Sequence, residues 1–277
     1  MSMLHILMST YNGEQYLATQ LDSILAQTYA EWRLFVRDDG STDNTLSVFK
    51  NYAQQDKRIT LVNDGERIGA CRSFERLLTN YGEAEYFAFA DQDDVWDTDK
   101  LSICMQTLQQ AEQATPDVPI VVHTDLRVVD EHLQPIAPSF WNYSHIYPNL
   151  LDTHIRYHAI CNSVTGCTML FNRAARDCAL PMRANAFMHD AWIALMTSCH
   201  NGRLVPISQT TVLYRQHGNN TLGAVPYSAF RRSFARRREE AHISFRRAKG
   251  CVYRNYAQFL LWKVIYFIHR SLYTLTA

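Results

Sequence analysis

The sequence predicts an α/β fold: a mostly parallel central sheet flanked by helices, followed by a helical, basic C-terminal tail. Three observations predict it. Apolar runs of strand length alternate with segments whose apolar residues recur at helical spacing, which is the order of βαβ winding. The run Tyr86-Phe87-Ala88-Phe89-Ala90 is apolar throughout, as a strand buried on both faces is. The early strands also end in polar loops, and open α/β sheets place their ligands at the C-terminal ends of strands.

The first strand is His5-Ile6-Leu7-Met8, ending in Ser9-Thr10-Tyr11-Asn12-Gly13. A helix is expected next, with Asn12 as its cap and Gln15 three residues on. Its face of Leu17, Leu21, Ile24 and Leu25 has helical spacing. Leu34-Phe35-Val36 is the second strand and stops at Arg37-Asp38-Asp39-Gly40-Ser41-Thr42-Asp43. Ser41 or Thr42 can cap the helix that carries Leu46, Phe49 and Tyr52. Ile59 to Val62 forms a third strand, and Phe74, Leu77, Leu78 and Tyr81 mark a third helix. The loops 9–13, 38–43 and 91–94 should therefore meet on one edge of the sheet.

The run at 86–90 ends in Asp91-Gln92-Asp93-Asp94. Three carboxylates in four positions repel one another unless a cation or hydrogen-bond donors compensate. Asp91 and Asp93 are spaced for a hard divalent ion shared with a substrate diphosphate. A helix start is the other reading, since acids favour a first turn and Asp97 and Asp99 follow. The first strand lacks a GxGxxG, which counts against a dinucleotide fingerprint.

Beyond Lys100 come a helix (Leu101, Met105, Leu108), a strand Ile120 to His123, and a loop-rich aromatic stretch at 135–158. Thr165 to Phe171 reads as a strand, and Phe187 to Trp192 opens another helix. Arg203 to Val205 and Val212 to Tyr214 read as the last two strands. Formal charge is zero over the chain, which argues against general nucleic-acid binding. Seven cysteines without a CxxC pair read as reduced thiols and give no zinc signal. With no signal-type N-terminus and no bilayer-length apolar run, the expectation is a cytoplasmic protein, peripheral on the inner face of the cell membrane. The tail supports that contact: arginines at 231–249 alternate with Phe230, Phe234, Ile243 and Phe245, then Phe259 to Ile268 is apolar. Such a tail suits an anionic membrane surface. Packing on its own domain or on a second subunit is an equal alternative.

With Ser9 to Gly13, Asp38 to Asp43, Asp91 to Asp94, His189-Asp190-Ala191-Trp192 and Tyr214 to Asn220 in hand, the chain resembles the family 2 inverting glycosyltransferases. The resemblance covers about the first 220 residues. The last two motifs are most similar to the bacterial rhamnosyltransferase branch, which builds cell-surface polysaccharides.

The resemblance implies a Rossmann-like glycosyltransferase A fold, with a nucleotide-binding half at 1–98, an acceptor half at 99–225 and the tail at 226–277. It implies a nucleotide-sugar donor, a saccharide or lipid-linked saccharide acceptor, and Mg²⁺ or Mn²⁺. In its terms Ser9, Thr10, Tyr11 and Asp39 hold the nucleoside, and Asp39 can accept the N3–H of uracil or thymine. Asp91 touches ribose or metal, Asp93 binds the metal, and His217 completes its shell or binds phosphate. Asp94 is a further ligand or an outer partner. Arg72 reaches the diphosphate, Asp190 is the general base, and Trp192 and His189 shape the acceptor pocket. The best donor expectation is dTDP-rhamnose, ahead of UDP-glucose or UDP-galactose. Two other classes are weaker: a non-catalytic sugar- or lipid-binding protein, and an aspartate-nucleophile phosphatase suggested by Asp91-x-Asp93-x-Val95. That second class expects its motif on the first strand and a later GDxxxD, and the chain has neither.

Overall fold

A computed structural model describes residues 2–62, 65–184, 186, 188–218, 220, 223–224, 241–246 and 248–276. Its first half is regular. Strands β1 (Leu4–Thr10), β2 (Trp32–Asp38), β3 (Ile59–Val62) and β4 (Tyr86–Ala90) alternate with helices α1 (Leu17–Leu25), α2 (Thr45–Gln55) and α3 (Ala70–Asn80). All four strands are parallel, and every residue of β4 is buried. The second half follows with β5 (Val95–Trp96), α4 (Lys100–Ala114), β6 (Ile120–Val129), β7 (Pro135–Ala137) and short helices α5 (Phe140–Ser144), α6 (Pro148–Leu151) and α7 (Ile155–His158). Then come β8 (Met169–Asn172), α8 (Arg173–Ala179), α9 (His189–Cys199), β9 (Arg203–Arg215) and, after the tail begins, α10 (Tyr256–Thr276).

Among the described residues one nine-stranded sheet runs β3-β2-β1-β4-β8-β6-β9-β5, with β7 on β6. Side chains alternate along each strand, so Leu4, Ile6 and Met8 face a core closed by α1, α2 and α4, while Leu7 faces one closed by α3 and α9. Strand β8 is antiparallel to both β4 and β6, and β9 is parallel to β6. Two reversals restore direction, so β1, β2, β4, β6 and β9 all deliver their C-terminal ends to one rim. The register fixes this closely: Thr10 lies opposite Asp38, and Met8 opposite Ala90.

Several sequence expectations are corrected by the fold. Asn12 does not cap α1, which begins at Leu17 without a side-chain cap. Asn12 instead sits at φ 48° and its side chain accepts the N–H of Thr42. Helix α2 starts at Thr45, and Asp43 rather than Ser41 or Thr42 accepts the Thr45 N–H (3.0 Å). The final two strands are one, β9, whose register against β6 shifts midway. Within 165–171, Gly166–Thr168 is a 3₁₀ turn and the strand begins at Met169.

The described part of the tail packs on the domain. Tyr253 donates its hydroxyl to the Arg156 carbonyl (2.6 Å), Phe259 is buried in the α3–α9 core, and Tyr266 is buried against Leu150, Leu151 and Tyr157. Phe230, Phe234 and the arginines at 231, 232, 236–238 and 247 lie outside the described residues. No described helix is long and apolar enough to cross a membrane.

Candidate active site

The first two strand-end loops are zipped together by their own polar side chains. The N–H of Asn12 donates to Ser41 Oγ (2.9 Å), that of Gly13 to Thr45 Oγ1 (2.8 Å), and that of Asn44 to Glu14 Oε2 (2.7 Å). Asp38 is the turn residue of this assembly: it accepts from Thr10 Oγ1 and from the N–H groups of Gly40 and Ser41. Gly40 holds φ 87°, the left-handed region where a side chain is costly.

The third loop is attached by Gln92. Its amide exchanges two hydrogen bonds with the backbone of Tyr11, accepting N–H at 2.9 Å and donating to C=O at 3.0 Å. A Cβ on Gly13 would stand 2.3 Å from Gln92 Oε1, so glycine is what permits this approach.

Asp39 lies one residue beyond Asp38 and faces a different set of donors. It accepts from Arg37 (2.8 Å) and from the N–H groups of Ile68 (2.7 Å) and Gly69 (2.9 Å). Burial pushes this carboxyl up, but the donors from Ile68, Arg37 and Gly69 outweigh it and hold the acid below its ordinary range. Beside it the Arg67 guanidinium stacks on the Tyr11 ring at 4.1 Å.

The acidic turn carries its charges at different depths. Burial, then the charges of Asp93 and Asp190, push the Asp91 carboxyl up to about 7. Asp93 pairs with His217, Oδ2 to Nε2 at 2.8 Å. Asp94 is fully buried: one oxygen accepts the Arg215 N–H and the other is unpartnered. Arg215 staples the turn to the end of β6, donating to the carbonyls of Asp93 and Glu131 (both 2.7 Å).

Asp190 opens α9. Its carboxylate accepts the N–H of Gly166 at 3.1 Å. His189 is buried, stacks on Phe74 at 3.9 Å and has no hydrogen-bond partner on either ring nitrogen. Burial pulls its imidazole down to about 3, so it is neutral at physiological pH.

A cleft of about 310 Å³ joins these groups. Ser9, Thr10, Tyr11, Asp39, Asp91, Asp93, His189 and Asp190 all line it, and His217 meets it through Asp93. Two expected residues are elsewhere. Trp192 is core: its indole N–H donates to the Ala179 carbonyl (2.8 Å), so it does not shape an acceptor pocket. Arg72 points off the cleft, bonded to Glu75 and to the carbonyls of Met182 and Arg183. Sequence reasoning missed Arg67, which lines the cleft, and the fasteners Gln92 and Arg215. Arg67 stands just before α3 and Arg72 in its first turn, and the polar Gln92 and Arg215 stand within quoted motifs, so the residue types were visible and their roles were not.

Among the described residues Asp91, Asp94 and Cys167 bring ligand atoms within 4.8 Å of one another. That set fits a Mg²⁺-like ion poorly, because a thiol is soft, and burial raises both the Cys167 and Asp94 groups well above their ordinary values. Asp91, Asp93 and His217 are donors of the harder kind, with Asp93 Oδ2 and His217 Nε2 2.8 Å apart. Asp91 and Asp93 line the cleft, and the charge crowded on Asp91 is of the sign a cation relieves.

Comparison with known proteins agrees with this geometry. Residues 5–178 match the family model Glycosyl transferase family 2. The chain is 39% identical over 98 residues to the Escherichia coli UDP-Glc:alpha-D-GlcNAc-diphosphoundecaprenol beta-1,3-glucosyltransferase WfgD, covering 35% of this chain and 38% of that protein. It is 27% identical over 242 residues to the Shigella flexneri dTDP-rhamnosyl transferase RfbG, covering 78% of this chain and 74% of that one. In structure it resembles S. aureus TarS 1–349 in complex with UDP-GlcNAc, with a TM-score of 0.63 at 16% identity over 93% of this chain and 69% of that one. It also resembles the mannosyltransferase PcManGT from Pyrobaculum calidifontis, in complex with GDP-Man and Mn²⁺ (TM-score 0.61, 20% identity, 89% of this chain and 64% of that one). The likeness at these identities is one of fold, and it is the glycosyltransferase A fold. With the family model covering more than half its length, the chain belongs to the family 2 glycosyltransferases.

Proposed function

We propose that the chain is an inverting, metal-dependent hexosyltransferase that moves rhamnose from dTDP-rhamnose to a saccharide or lipid-linked saccharide acceptor in cell-surface polysaccharide synthesis. The observation that carries this is the meeting of Asp39, Asp91, Asp93 and Asp190 in one cleft. On this reading residues 1–98 hold the donor, 99–225 the acceptor, and 226–277 form an appended tail.

Each group has a task suited to its surroundings. Asp39 is held ionised, so it can accept the N3–H of thymine or uracil, beside the Tyr11 backbone and ring. Asp91 and Asp93 with His217 would hold Mg²⁺ or Mn²⁺, which supplies positive charge to the leaving diphosphate when bound. The acceptor hydroxyl attacks the anomeric carbon from the face opposite the diphosphate. As the new C–O bond forms and the bond to the phosphate oxygen breaks, the hydroxyl proton passes to the Asp190 carboxylate. The Gly166 N–H fixes the orientation of that carboxylate. His189, neutral and stacked on Phe74, forms part of the wall of the same cleft.

A UDP-glucose or UDP-galactose donor is the second reading, favoured by the 39% identity to WfgD. A thermal-shift panel of dTDP-rhamnose, UDP-glucose and UDP-galactose with Mn²⁺ separates the two. The largest stabilisation is expected with dTDP-rhamnose. No stabilisation by any nucleotide-sugar would contradict the proposal.

A further inference from the structure

Helix α10 is apolar on two opposite faces, and among the described residues one of them is buried against the domain while the other is exposed. Among the described residues nine large apolar side chains are exposed, and seven of these lie on α10. Leu261, Val264, Ile268, Leu272 and Leu275 follow one another at spacings of three or four, with Phe267 alongside, so they form a single stripe. Phe259 and Tyr266, on the opposite face, are buried against the domain. The helix is 21 residues long, about 30 Å at 1.5 Å per residue. Because one side is fixed to the protein, the stripe can meet a partner only along its length, not end-on.

Charge decides which partner. Residues 226–277 hold eleven Lys and Arg against two Glu, while the whole chain is neutral, so nearly all positive excess is gathered here. Helix α10 itself carries no acid, and its two basic residues, Lys263 and Arg270, lie over the Phe259 and Tyr147 rings on the side facing the domain. Pairing this helix with a second copy would bring two strongly net-basic segments together. An anionic bilayer answers both features at once: apolar side chains enter the headgroup boundary and the basic groups meet lipid phosphates.

We propose that α10 lies flat in an anionic lipid surface, inserting the stripe from Leu261 to Leu275 and seating the enzyme on the membrane. This deepens the reading of the acceptor as lipid-linked, yet its test does not depend on that reading. The full-length protein is floated with vesicles of phosphatidylcholine alone and with vesicles containing about one third phosphatidylglycerol. Wild type should float with the anionic vesicles and weakly or not at all with neutral ones. The variant L261S/V264S/I268S/L272S changes only exposed positions and should lose at least about tenfold in vesicle affinity. Ile136→Ser, an exposed apolar site elsewhere, should retain it. Circular dichroism and nucleotide affinity of each variant report folding and the donor site separately. Equal flotation of wild type and the fourfold variant would overturn the proposal. So would a wild type that ignores both vesicles, including one that forms a dimer lost in the same variant.

Discussion

The side-chain amide of Gln92 pairs with both backbone groups of Tyr11, as one strand residue pairs with another. The loop after the first strand and the acidic turn after the fourth are thereby a single unit, 81 residues apart in sequence. Gln92→Ala removes two hydrogen bonds worth about 1 kcal/mol each. A fall of several degrees in melting temperature and about tenfold weaker nucleotide binding are expected, by thermal shift and calorimetry. Gly13→Ala should reproduce the binding loss, because its Cβ would displace the same amide.

Asp39 is buried, and its carboxylate already accepts from Arg37, Ile68 and Gly69. In Asp39→Asn an amide N–H₂ must replace one acceptor oxygen, so a donor at Arg37, Ile68 or Gly69 is left facing a donor. Loss of about 1–3 kcal/mol in stability is expected from denaturant titration, with base-specific nucleotide affinity falling together with it. Asp38→Asn should cost stability while sparing base selectivity.

Asp93→Ala should lower Mn²⁺-dependent nucleotide affinity by about tenfold or more, or about 1.4 kcal/mol. The binding that persists in chelator should be unchanged. Calorimetry with and without EDTA reads the difference, and equal losses in both conditions would remove Asp93 from the metal site.

His123 on β6 is fully buried against Trp141 with neither ring nitrogen partnered. Burial first, then the neighbouring charge of His158, pulls its imidazole down to about 3. The folded chain therefore keeps it neutral while the unfolded chain protonates it below about pH 6.5. Stability is intact above that pH and falls by up to about 1.4 kcal/mol per unit as pH drops toward the folded value. In His123→Leu, the loss of melting temperature between neutral and mildly acidic buffer should be smaller than in wild type.

Much of the site was legible because its acids end strands. Asp39, Asp91 and Asp93 each follow an apolar run, and parallel strands bring such ends together whatever the loops do. Asp190 could be found only as part of His189-Asp190-Ala191-Trp192, because its place depends on α9 crossing back to Gly166. The phase of a helix was less visible. Arg72 and Trp192 sit just past the starts of α3 and α9, which no capping side chain marks, and a shift of one position turns a side chain by about 100°. Arg67 precedes α3 and so escapes that turn. The direction of β8 was equally hidden, since its three apolar residues, Met169 to Phe171, read the same in either sense.

The assignment of Asp190 as the base is tested by single-turnover transfer with Asp190→Asn under saturating donor and Mn²⁺, alongside calorimetric donor affinity. Transfer should fall by about 10²–10⁴-fold while affinity stays within a few-fold of wild type. Near-normal transfer by that variant would contradict the assignment.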